Sequence, residues 1–152
     1  MKIKLGFSLI EVLVFVTILS LFFVAAMSVA TYSLKNMKIN QHKILASHYA
    51  EEGLEWIRAE KEENWDQFIG YGTTGSGLTY CINTLNNSIW TTPTTCGANF
   101  ELGVPQIFKR EVNLINQAGN PVTQVDVTLT VTWIESGSTL SIPLKTTLKI
   151  LE

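Results

Sequence analysis

Gly6-Phe7-Ser8-Leu9-Ile10-Glu11-Val12-Leu13-Val14 opens an apolar run in which no charged residue appears from Val12 to Leu34. At about 1.5 Å of rise per helical residue the uncharged part covers roughly 35 Å, enough to cross a hydrocarbon core of about 30 Å. One carboxylate, Glu11, stands at the head of the run. Burying a carboxylate in lipid costs a few kcal/mol or more. An ordinary anchor gains nothing from it, so Glu11 needs an explanation. Lys2 and Lys4 precede the run, and Lys35, Lys38 and Lys43 follow it. The lysine balance alone therefore does not fix the orientation. No small-residue cleavage site after the run is needed to account for the pattern, which reads as a retained segment.

With its short basic leader and about twenty apolar residues behind it, the Gly6 to Val14 stretch closely resembles the amino terminus of type IV prepilins and type II secretion pseudopilins. The resemblance covers the first 35 residues or so. It implies cleavage between Gly6 and Phe7 by a membrane prepilin peptidase, then N-methylation of the new amino-terminal Phe7. It also implies a pilin-like α+β fold, with a long N-terminal helix packed on a C-terminal antiparallel sheet. The partners implied are the peptidase, other pilin or pseudopilin subunits, inner-membrane assembly machinery, and membrane lipid before assembly. The location implied is the cytoplasmic membrane, crossed once with the head outside the cytoplasm, and afterwards the filament. Major pilins of this family often carry a helix-breaking proline where this chain has Ser28, which points to a minor subunit.

The residues support the same functions on physical grounds. Gly6 has no side chain to obstruct a protease at the membrane face and weakens the helix locally. Cleavage would leave a free amine on Phe7, and a buried carboxylate is tolerable when a cation partners it. The family reading makes Glu11 a register charge that meets the Phe7 amine of a neighbouring subunit. The other reading is that Glu11 reaches the headgroups and complements the helix dipole.

Beyond Leu34 no proline appears before Trp65, and Gly53 is the only glycine in that span. One helix from about Phe7 to Trp65 is expected. In its outer half Ala46, Ala50, Leu54 and Ile57 share a face suited to covering a sheet, flanked by Tyr49 and Trp56. Charge is divided there: Lys35, Lys38 and Lys43 come first, then an acidic block of Glu51, Glu52, Glu55, Glu60, Glu62, Glu63 and Asp66. Staggered copies could set one block against the other, or both could be solvated faces.

The chain then divides into a leader, 1–6, a membrane or filament-core half of the helix, 7–34, an amphipathic half, 35–66, and a β head, 67–152. Gly70 to Gly77 is a glycine-rich connector. No lysine follows its glycines and no strand precedes them, so it is not a phosphate cradle. Leu78–Ile82 and Ser88–Thr91 read as short extended pieces. Cys81 and Cys96 pair in an oxidising compartment, closing a loop worth about 3 kcal/mol by chain entropy. Asn86-Asn87-Ser88 matches the N-glycosylation pattern, a weak signal at three residues. Phe108 to Leu114 reads as a strand, Ala118 to Pro121 as a turn, and Val125 to Trp133 as an alternating, half-buried strand. Ser136-Gly137-Ser138 turns the chain into a third strand carrying Leu140, Ile142, Leu144, Leu148 and Ile150. Three strands make a meander that the helix stripe covers.

Little catalytic chemistry is in view. His42 and His48 lie about 240° apart around a helix and cannot share a ligand site, and His48 with Glu52 supplies too few ligands for zinc. No nucleophile, base and orienting acid can be nominated, so no enzyme, cofactor or metal is expected. The formal charge of −2 lacks the basic footprint of a nucleic-acid binder. The expected function is a structural subunit of a type IV pilus or pseudopilus. The alternative is a monomeric, signal-anchored extracytoplasmic binding protein.

Overall fold

The computed structural model describes residues 8–150. The elements in chain order are helix α1 (Leu9–Glu63), helix α2 (Trp65–Gly70), strand β1 (Leu78–Cys81), a 3-10 turn (Asn87–Thr91), and strands β2 (Phe108–Asn116), β3 (Gln124–Glu135) and β4 (Ser138–Lys149). The fold is α+β: a 55-residue helix and a four-stranded antiparallel sheet in the order β1-β2-β3-β4. The chain falls into two compact units, one up to Gln41 and one from His42 onward.

In the second unit the helix stripe behaves as its spacing predicts. Ala46, Ala50, Leu54 and Ile57 are buried, and they join Val112, Leu114, Val127, Leu129 and Val131 from the inner face of the sheet. Gly53 lies on the same face. A β-carbon there would come within 2.7 Å of Leu129 Cδ1 and 2.9 Å of Arg110 Cδ, so the helix backbone approaches the sheet as closely as only glycine permits.

Three expectations change. The long helix ends at Glu63, not Trp65, although no proline or glycine is present to stop it. Asn64 adopts an extended conformation and its side chain accepts a hydrogen bond from the Gln67 amide at 3.0 Å, capping α2. A side chain that satisfies an orphan amide of a new helix competes successfully with one more turn of the old one. Second, Ser88–Thr91 is not extended but lies in the 3-10 turn. Third, the meander gains a fourth member, because β1 pairs with β2 in the register Leu78↔Leu114 to Cys81↔Glu111.

β2 and β3 bury alternate residues as the sequence alternation requires. β3 and β4 are joined by a two-residue loop, Ser136 and Gly137, both with positive φ. Such a loop matches the twist of the strands it joins. β4 is covered less well: of its inward residues only Leu148 is buried, while Leu140, Ile142 and Leu144 are half-buried.

Candidate functional site

Gly6 and Phe7 lie outside the described residues. Glu11 lies in the first turn of α1, where its amide donates to the Ser8 carbonyl at 3.0 Å. No described residue of the first unit is buried, and Leu9, Leu21, Phe22, Val24 and Val29 are all exposed. This part of α1 is long and apolar enough to span a membrane. Its hydroxyls are handled within the helix. Thr17 donates to the Val14 carbonyl at 2.8 Å, Ser20 to Thr17 at 2.8 Å, Ser28 to Val24 at 2.9 Å and Thr31 to Met27 at 2.9 Å. Such back-bonding lets a hydroxyl sit in an apolar surrounding without an unmet donor. Glu11 is the one acidic or basic side chain of the described run up to Leu34.

The second unit shows how the head grips its helix. Arg110 lies on the inward parity of β2 and is 1 % exposed. Its Nε donates to the Ile82 carbonyl at 3.0 Å, and one terminal nitrogen donates to the Tyr49 carbonyl at 2.7 Å and to Glu52 Oε2 at 2.9 Å. One guanidinium thus ties helix, loop and sheet together. Burial pulls its pKa below the ordinary arginine value, and the hydrogen bond and charge of Glu52 act in the opposite direction. Arg110 had a sequence signal: period-two alternation from Phe108 places it on the same face as Val112 and Leu114.

Cys81 and Cys96 are joined, as expected for an oxidising compartment. The Cys96 amide donates to Glu111 Oε1 at 2.8 Å. The loop so closed carries Trp90, which stacks on Tyr71 at 4.4 Å and on Trp56 at 5.4 Å and donates to Glu60 Oε2 at 3.0 Å. Tyr80 meets Trp90 edge-on and donates its hydroxyl to the Tyr71 carbonyl at 2.9 Å. Burial foremost, and the nearby Tyr71, hold the Tyr80 phenol above its ordinary pKa.

The histidines part company. His48 is exposed beside Glu51, whereas His42 Nδ1 lies 2.5 Å from Glu135 Oε2 and its ring packs edge-on to Phe108. Much of the acidic block is engaged within its own chain: Glu51 with His48, Glu52 with Arg110, Glu55 with Arg58, and Glu60 with Trp90. Among the described residues no three His, Cys, Asp or Glu side chains gather as a metal-binding group. No family model matches the chain, and comparison with curated proteins and with solved structures finds no match.

Proposed function

We propose that this chain is a structural subunit, of the minor kind, in a filament of the type IV pilus or type II secretion pseudopilus class. In this reading it inserts as a single-pass membrane precursor with its head outside the cytoplasm. A prepilin peptidase cuts between Gly6 and Phe7, and Phe7 is N-methylated. The inner-membrane assembly machinery then moves the helix from lipid into contact with other subunits. It has no catalytic role and no nucleic-acid partner.

The observation that carries the reading is a lone carboxylate, Glu11, behind Gly6-Phe7 at the start of a helix stretch that keeps its apolar side chains exposed on every side up to Leu34. A tether needs the apolar surface but not the acid. An assembling helix needs both, because a charge pair between copies fixes register where apolar contacts slide.

Mass spectrometry of the mature protein tests the processing: a chain beginning at N-methylated Phe7 supports it, and an intact Met1 or a cut after Ala30 defeats it. Glu11→Leu tests assembly. Membrane insertion should persist, while incorporation into filaments should drop roughly a hundredfold, as for a broken buried pair worth about 3 kcal/mol. Unchanged incorporation would favour the monomeric tether.

A further inference from the structure

β4 is the outer strand of the sheet and runs for 12 residues, more than enough to template another strand. The opposite edge is short and partly occupied: β1 has four residues, and Thr94 bridges to Tyr80 on its far side. Long open edges invite pairing with another copy of the same chain. Which groups β4 offers follows from its register. Glu135 and Ser138 flank the two-residue loop and are paired, so they exchange the first hydrogen bonds of the ladder, and bonding then recurs at every second residue. The amide of Ile150 donates to the Thr123 carbonyl at 3.2 Å, which keeps the same parity to the end of the strand. Even-numbered residues of β4 therefore bond inward to β3. Thr139, Ser141, Pro143, Lys145, Thr147 and Lys149 turn their backbone groups to the open edge.

Pro143 falls on the outward parity, opposite Thr130. There its missing N–H costs β3 nothing and removes a donor from the middle of the free edge. It leaves uninterrupted amides only at Thr139 and Ser141 on one side, and at Lys145, Thr147 and Lys149 on the other. Both lysines of that second group are exposed, and a second copy in antiparallel register would bring like charges together.

We infer that Pro143 closes the β4 edge to strand addition by a second copy of this chain, so that heads do not join sheet to sheet. Lys145 reinforces the block. This holds whether or not the chain enters a filament, because it concerns only the head and its own edge.

The test uses the full chain in detergent micelles, where no assembly machinery is present. Pro143→Thr restores the missing donor with a residue suited to strands, and the double variant with Lys145→Thr also removes the adjacent charge. Sedimentation should show head-to-head association at concentrations at least about tenfold lower than for the native chain. Adding Ser141→Pro to Pro143→Thr, which moves the interruption to the next outward position, should abolish that association. The inference is overturned if both variants keep native circular dichroism and sediment like the native chain. Should the variants fail to fold, amide exchange on the native chain decides. Thr139, Ser141, Lys145, Thr147 and Lys149 should exchange fast, and Leu140, Ile142, Leu144, Thr146 and Leu148 slowly. Equal protection of both sets would mean that the edge is already paired, and the inference would be wrong.

Discussion

From Leu9 to Gln41 no described residue of α1 is buried, whereas between His42 and Glu63 the same helix covers Ala46, Ala50 and Ile57 almost completely. Up to Leu34 the first stretch is apolar on all sides, and the second is apolar only on one. A helix apolar all round needs an apolar surrounding on every side, while a one-sided stripe needs a single partner surface. The second stretch finds that surface in its own sheet. No described residue of the first is buried, so that stretch contributes no core.

The sharpest way to break this contrast is a pair of truncations. Ile57→Ala should destabilise the head by about 2–5 kcal/mol, because a buried side chain leaves a cavity. Leu21→Ala should change head stability by less than about 0.5 kcal/mol. Chemical denaturation of the detergent-solubilised chain measures both, and a comparable loss for Leu21→Ala would mean that the two stretches fold as one cooperative body.

Replacing Cys81 and Cys96 together by serine should cost the head about 3 kcal/mol, given a sequence separation of 15. Trp90 rides on the loop they close, so its fluorescence should shift before the sheet melts. A single coincident transition in the variant would show that the loop holds without its covalent tie.

Gly53→Ala sets two effects against each other. Alanine gains about 1 kcal/mol of helix propensity, but its β-carbon crowds Leu129 Cδ1 and Arg110 Cδ. Arg110 is pinned by its bonds to Ile82, Tyr49 and Glu52 and yields poorly, so overpacking of about 1–3 kcal/mol wins. A net loss of about 1 kcal/mol is expected in thermal melts, and a net gain would show that the helix rides up from the sheet freely.

The smallest effect is at alkaline pH. The folded-state pKa of Tyr80 is raised above 10.0, so the folded head holds that proton more tightly than the unfolded chain does. Its contribution is full below about pH 10 and disappears as pH rises through the folded value. Tyr80→Phe should flatten the stability profile above about pH 10 while losing a little at neutral pH, where the bond to the Tyr71 carbonyl is missing. A profile as steep as the native one would assign the alkaline loss to another group.

These contrasts also explain how far the residues could be read directly. Strong periodicity was legible: the Ala46 to Ile57 stripe and the alternation in β3 both follow from side-chain geometry that tertiary context has little reason to override. Asn64 carries a subtler signal: Asn64-Trp65-Asp66-Gln67 has the spacing of a capping box, in which a short side chain outcompetes helix continuation without any proline. Arg110 was missed because a charged residue is assumed to face water, and only its parity argues otherwise. The 3-10 turn over Asn87–Thr91 is too short for any period to register. Of the candidate site, Glu11 stood out by being the one charge in an apolar run. The Arg110 and His42 contacts join residues far apart in sequence, and no local pattern announces them.

The stack of Trp56, Trp90 and Tyr71 has an optical consequence. Aromatic chromophores held face to face at 4.4 and 5.4 Å couple their transitions, and each ring that swings away removes the coupling it shares with its neighbour, so the full signal needs all three in place. One ring belongs to α1, one to the disulfide loop and one to the end of α2. Near-ultraviolet circular dichroism of the unlabelled protein therefore reports whether three separate segments are docked at once, giving the head a built-in gauge of its own integrity.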